Sequence, residues 1–240
     1  MSSTTAPSRQ QDTNIKVPLI SKIAYGMGDV GCNFSWMFVG NFLMIFYTDV
    51  CGISMAAVSL LMLVSRFWDA INDPVIGSLS DRTRTRWGKF KPWLVIGIVT
   101  TSVVVYLFFN TKLQGWSFVW FFGVMYFMYS ITYTMHDISY WGMVPALSSD
   151  ANARNQFTSR ATLFAGIGGA LAGMLIPIFT TGKNAIGGST ATAYGVVALA
   201  IAILAPAFLC FTIFGVRERR DDLREAAPPI SKSEGQAVLG

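Results

Sequence analysis

The sequence predicts an all-α membrane protein with six transmembrane helices. Three observations carry this expectation. The 240-residue chain is 52% hydrophobic and only 13% charged, about half the charged fraction of a soluble domain. Its apolar residues fall in long blocks, each near the roughly 20 residues that cross a bilayer as a helix. The connections between blocks alternate between basic and nearly cation-free, as the positive-inside rule requires.

The spans are expected at residues 23–47, 55–79, 93–109, 117–141, 158–179 and 191–214. Residues 1–22 form a polar N-terminal segment; with no apolar h-region, they are not expected to be a cleavable signal peptide. With that segment in the cytoplasm, fifteen of the eighteen lysines and arginines lie inside, five of them between Arg82 and Lys91. Only Lys112 and Lys183 lie outside, and Arg66 falls within a span. Both termini are therefore expected in the cytoplasm of a multi-pass inner or plasma-membrane protein. The net charge of +5 is spent on topology, which argues against a nucleic-acid partner. Residues 215–240 are polar and carry Pro228 and Pro229, the composition of a flexible linker. Cys32, Cys51 and Cys210 are scattered and read as small apolar residues. Gly169 and Gly173 have the spacing of close helix packing. No internal repeat is visible, although spans one to three and four to six have the organisation of weakly related halves.

Ionisable residues in hydrocarbon cost several kcal/mol and usually serve a function. Four acids fall inside spans, Asp29, Asp69, Asp73 and Asp137, beside one base, Arg66. Pairing with Arg66 leaves negative charge uncompensated, so a bound cation is expected. In the second span Arg66, Asp69 and Asp73 follow at i, i+3 and i+7 and share one face. Asn72 adds an amide carbonyl within about one turn. Hard cations such as Na⁺ take oxygen ligands of this kind, and the same carboxylates can instead carry H⁺. In the fourth span Tyr133, Asp137 and Trp141 follow at i, i+4 and i+8, with Thr134 close by. A ring beside a carboxylate suits a sugar, whose C–H face packs on the ring while its hydroxyls bond the acid. Tyr25, Asp29, Asn33 and Trp36 repeat the theme on one face of the first span, and Asp29 and Asn33 are expected to bind substrate as well. His136 points about 100° away from its neighbour Asp137. The cations Arg82, Arg86 and Lys89 anchor topology, meet acidic lipid or helix ends, or brace a conformational gate. One histidine and no credible nucleophile–base or metal constellation argue against an enzyme and against any cofactor beyond a coupling ion.

The string Arg66-Phe67-Trp68-Asp69-Ala70-Ile71-Asn72-Asp73-Pro74, the loop from Arg82 to Pro92, Tyr47-Thr48-Asp49, and Tyr133 to Asp137 with Trp141 resemble the glycoside–pentoside–hexuronide:cation symporters. This is the melibiose-permease-like family of the major facilitator superfamily, and the resemblance covers about residues 22–219. It implies cation ligands at Asp69, Asn72, Asp73 and Thr134, and sugar contacts at Tyr133, Asp137 and Trp141. The family's first-span acid falls at Asn33 and its lysine at Cys32, with Asp29 one turn earlier; a fifth-span arginine falls at Thr162, near Arg160. These departures leave the sugar unassigned. The family fold has twelve spans in two bundles, so the resemblance implies a major-facilitator-type half bundle and a truncated chain whose partner is the second half. The expected activity is sugar or glycoside symport with Na⁺ or H⁺ by alternating access; a six-helix channel or a membrane scaffold is the alternative.

Overall fold

A computed structural model describes residues 18–218, apart from residues 112, 114 and 149. Lys112 and most of both terminal segments lie outside the described residues. Six helices are long and apolar enough to cross a membrane: α1 (Leu19–Val50), α2 (Met55–Arg82), α3 (Lys91–Asn110), α4 (Gly115–Leu147), α5 (Ala151–Thr180) and α6 (Thr190–Gly215).

The boundaries follow local chemistry. Asp150 accepts bonds from the N–H groups of Asn152 and Ala153, at 3.3 and 2.9 Å. This cap starts α5 seven residues before the apolar run, at Ala151. Ser189 caps α6 in the same way through the N–H of Thr192. Helix α4 outlasts its expected end at Trp141 and continues through Pro145 to Leu147. Helix α1 is regular over Leu19–Met37, then passes through two π turns, Phe38–Phe42 and Phe46–Val50. Gly52, at φ +69°, turns the chain toward α2, a conformation that costs glycine little.

In the bundle α1 lies between α5 and α6, α6 meets α3, α3 meets α4, and α4 carries α2. Close approach needs small residues: a Cβ at Gly31 would fall 2.7 Å from the Ala205 carbonyl oxygen on α6. Tyr25 and Tyr140 tie α1 to α4, each hydroxyl donating to the other's backbone carbonyl at 2.7 and 2.6 Å. Their rings stack at 4.3 Å. Trp116 and Trp120 stand exposed near the start of α4, and Trp87 in the α2–α3 turn, the places where aromatic side chains anchor in the membrane interfaces.

The apolar core is split in two. One cluster gathers Phe38, Phe46, Tyr47, Phe108, Phe118, Phe122 and Tyr194. The other gathers Tyr25, Phe90, Leu94, Tyr140, Met143, Phe157 and Leu209. Between the two clusters α3 contributes buried Thr101 and Ser102, and α4 contributes Ser130, Thr132, Thr134, His136 and Ser139. This polar belt falls near the middle of the helices, where hydrocarbon tolerates it least.

Candidate functional site

The belt opens into a cavity of about 400 Å³ lined by α1, α2 and α4. From α2 come Arg66, Asp69, Ala70 and Asp73. Their shared face follows from helical spacing alone. From α4 come Tyr126, Tyr129, Ser130, Tyr133, Thr134 and Asp137, and from α1 Trp36, Val39 and Gly40. The α1 residues sit where that helix enters its first π turn, an irregularity common at functional sites.

Two rungs join α2 to α4. The Ser130 hydroxyl donates to Asp69 Oδ1, and the Thr134 hydroxyl donates to Asp73 Oδ1 at 3.0 Å. Both pairs are spaced i, i+4, so the rungs lie one turn apart. Arg66 Nη1 stands 3.5 Å from Asp69 Oδ2, and its guanidinium lies 5.5 Å from the centre of the Trp36 ring. Asp73 has no arginine or lysine within salt-bridge distance among the described residues. Pro74, one residue on, lacks the N–H that would bond the Ala70 carbonyl, and Ala70 lines the cavity.

An aromatic wall faces these carboxylates. Trp36 and Tyr133 have ring centres 5.1 Å apart, and Tyr133 stacks on Tyr129 at 5.6 Å. Asp137 lines the same cavity and interacts with Tyr133 and Trp141 one turn to either side. Tyr129 is 4% exposed, and its hydroxyl has no hydrogen-bond partner among the described residues.

Several residues singled out from the sequence lie elsewhere. Asn72 does not line the cavity. It belongs to the row Val58, Ser65, Asn72, Ile76 and Ser80 that α2 buries, a turn of about 100° from Asp73, and its amide nitrogen has no hydrogen-bond partner among the described residues. Asp29 and Asn33 stand behind the wall: Asn33 donates to the carboxylate and the carbonyl of Asp29 at 3.3 and 3.0 Å. Trp141 packs edge-on against Tyr140 and does not line the cavity. His136 is fully buried, 3.2 Å from the Thr132 carbonyl oxygen through Nδ1, where Gly97 lets α3 approach its backbone. Of the two glycines at packing spacing, Gly169 meets Met37 of α1, whereas Gly173 faces open space.

Away from the cavity, Lys89 pairs with Asp81 at 2.7 Å and lies 4.7 Å from the Phe90 ring centre. Arg82 closes α2, and Arg86 lies in the turn that follows. The strongest polar cluster here was not legible from the sequence. Glu218 accepts bonds from the N–H groups of Lys89, Phe90 and Lys91 at 2.7, 3.3 and 3.2 Å. Lys91 Nζ in turn donates to the Ile213 and Val216 carbonyls at 2.7 and 2.6 Å. Sequence reasoning also missed Ser130; its i, i+4 spacing from Thr134, matching that of Asp69 and Asp73, was the available signal.

The cavity brings carboxylates, hydroxyls and stacked rings together near the middle of the helices. Residues 24–237 match the family of MFS/sugar transport proteins. The chain belongs to this family. Within the sugar transport family, it is 32% identical over 231 residues to a lactose permease of Lactobacillus helveticus, covering 87% of this chain and 36% of that protein. It is 33% identical to the inner membrane symporter YicJ of Escherichia coli K12, over 88% of this chain and 45% of the relative. It is 34% identical to the isoprimeverose transporter of Lactiplantibacillus pentosus, over 85% and 43%. The chain thus spans less than half the length of these relatives. They are membrane transporters, not enzymes.

Proposed function

We propose that this chain supplies the first six-helix half of a sugar or glycoside:cation symporter working by alternating access. The observation that carries the reading is the cavity itself, where ion-type ligands and a sugar-type aromatic wall meet at mid-helix. Asp69, Asp73 and Thr134 hold the coupling ion, while Asn72 lies buried on the adjoining face of α2. Tyr133 and Asp137 take the sugar, with Trp36 of α1, 5.1 Å from Tyr133, as a further ring of the cavity wall. A cation at Asp69 and Asp73 relieves their mutual repulsion and fixes α2 against α4. That ordering favours the sugar-binding arrangement of Tyr133 and Asp137 on α4, and the favour is thermodynamically mutual.

Arg66 compensates one carboxylate, so the pair keeps net negative charge. Neutral oxygens suit Na⁺ and are unnecessary for H⁺, which supports Na⁺ as the ion with H⁺ as competitor. The cation asymmetry of the sequence supports both termini in the cytoplasm. A second bundle is supported by the length of the relatives and by α2, which has α4 as its one extensive helical neighbour among the described residues. Its outer row of Leu60, Leu63, Phe67, Ile71 and Val75 is exposed.

The test is binding of labelled glycosides to membranes bearing the chain together with the second bundle, at fixed pH, with and without Na⁺. Na⁺ should raise sugar affinity, and its effect should shrink as pH falls. Saturable sugar binding indifferent to both Na⁺ and pH removes the coupling assignment; no saturable binding of any glycoside removes the transporter reading.

A further inference from the structure

We propose that Ser130 is a direct ligand of the coupling cation and sets the preference of the site for Na⁺ over H⁺; this rests on the cation site proposed above. The geometry is the two-rung ladder. Asp69 and Asp73 stand one turn apart on α2, and Ser130 and Thr134 stand one turn apart on α4, each hydroxyl meeting one carboxylate. All four residues line the same cavity. Whatever chemistry places Thr134 beside the ion through Asp73 places Ser130 beside it through Asp69.

A serine hydroxyl has one proton to give and two lone pairs. While it donates to Asp69 Oδ1 it still presents oxygen electron density to the cavity. Each rung therefore offers a charged oxygen and a neutral one, the hard-donor set that Na⁺ needs once stripped of water. Ala70, whose carbonyl is left without its helical donor by Pro74, stands on the same α2 face between the two aspartates. The buried Tyr129 hydroxyl, which also lacks a partner among the described residues, belongs to a residue lining the same cavity. It is an independent sign that this space is built for a polar occupant.

The specificity argument follows from what each ion requires. A proton binds a carboxylate oxygen covalently and needs no further ligands. Na⁺ needs several oxygens at once, so deleting one neutral ligand weakens it while leaving every titratable group in place. Asn72 is buried outside the cavity lining, and Ser130 supplies the neutral oxygen beside Asp69.

The experiment uses the chain assembled with the second bundle in lipid nanodiscs. Its thermal unfolding midpoint is followed while NaCl replaces choline chloride at constant ionic strength, at pH 8 and at pH 5.5. The variants are Ser130→Ala, Ser130→Thr, and Ser139→Ala as a buried α4 control; Ser130→Cys replaces the alanine variant if that one does not fold. For Ser130→Ala the Na⁺ concentration giving half the stabilisation should rise about tenfold or more, while the response to pH persists. Ser130→Thr, which keeps the hydroxyl, should stay within about threefold of wild type. An unchanged Na⁺ titration in Ser130→Ala overturns the proposal and leaves the cation site standing. Loss of the Na⁺ and pH responses together also overturns it, because Ser130 is then structural. A wild type stabilised by neither Na⁺ nor low pH overturns the cation site itself.

Discussion

Glu218 and Lys91 brace the ends of two helices that are far apart in the chain, and breaking this contact should loosen the whole bundle. The carboxylate of Glu218 accepts from three consecutive backbone N–H groups at the start of α3. The ammonium of Lys91 donates to two carbonyls around the end of α6. Each charge also sits at the helix end whose dipole favours it. Glu218→Ala removes a cap worth about 1 kcal/mol and a dipole interaction of about 0.3–1 kcal/mol, and leaves part-buried N–H groups unmet, for a total near 2 kcal/mol. For a chain of this size that corresponds to a fall of about 4–8 °C in unfolding midpoint. Lys91→Met keeps the aliphatic stem and should cost a similar amount through the two lost charge-assisted bonds, about 1.5–3 kcal/mol. The two charges serve one junction, so the double variant should cost less than the two singles together, by about 0.5 kcal/mol or more. Thermal unfolding of the purified chain and its three variants in one detergent measures all of this. A shift below about 1 °C for Glu218→Ala, or strict additivity in the cycle, refutes the brace.

Three further outcomes are expected. In the assembled carrier Trp36→Ala should weaken sugar binding by up to about tenfold, the worth of one aromatic contact; a larger loss from Trp141→Ala than from Trp36→Ala would move the stacking surface out of the cavity. Asp137→Asn should weaken sugar affinity roughly 10- to 150-fold while cation binding survives; unchanged affinity in a folded variant removes Asp137 from the sugar site. A single cysteine at Lys183→Cys should react with an impermeant thiol reagent applied outside sealed cells, and one at Lys89→Cys should not; labelling at position 89 inverts the topology.

The six spans were legible in the apolar blocks, because a bilayer imposes a length on any helix that crosses it. So was the common face of Arg66, Asp69 and Asp73, since angular position within a helix follows from residue spacing. Boundaries were less legible: Asp150 begins α5 ahead of its apolar run, in a stretch that reads as a polar loop. The partners of the α2 carboxylates could not be read from spacing. Asn72 is within one turn of Asp69 and Asp73 in the sequence, yet it is buried outside the cavity lining, while Ser130, 61 residues from Asp69, completes a rung. Glu218 reaches Lys89 across 129 residues. Contacts of this kind depend on how ridges of side chains on separate helices interlock, so the composition of the cavity wall emerged only when α1, α2 and α4 were packed together.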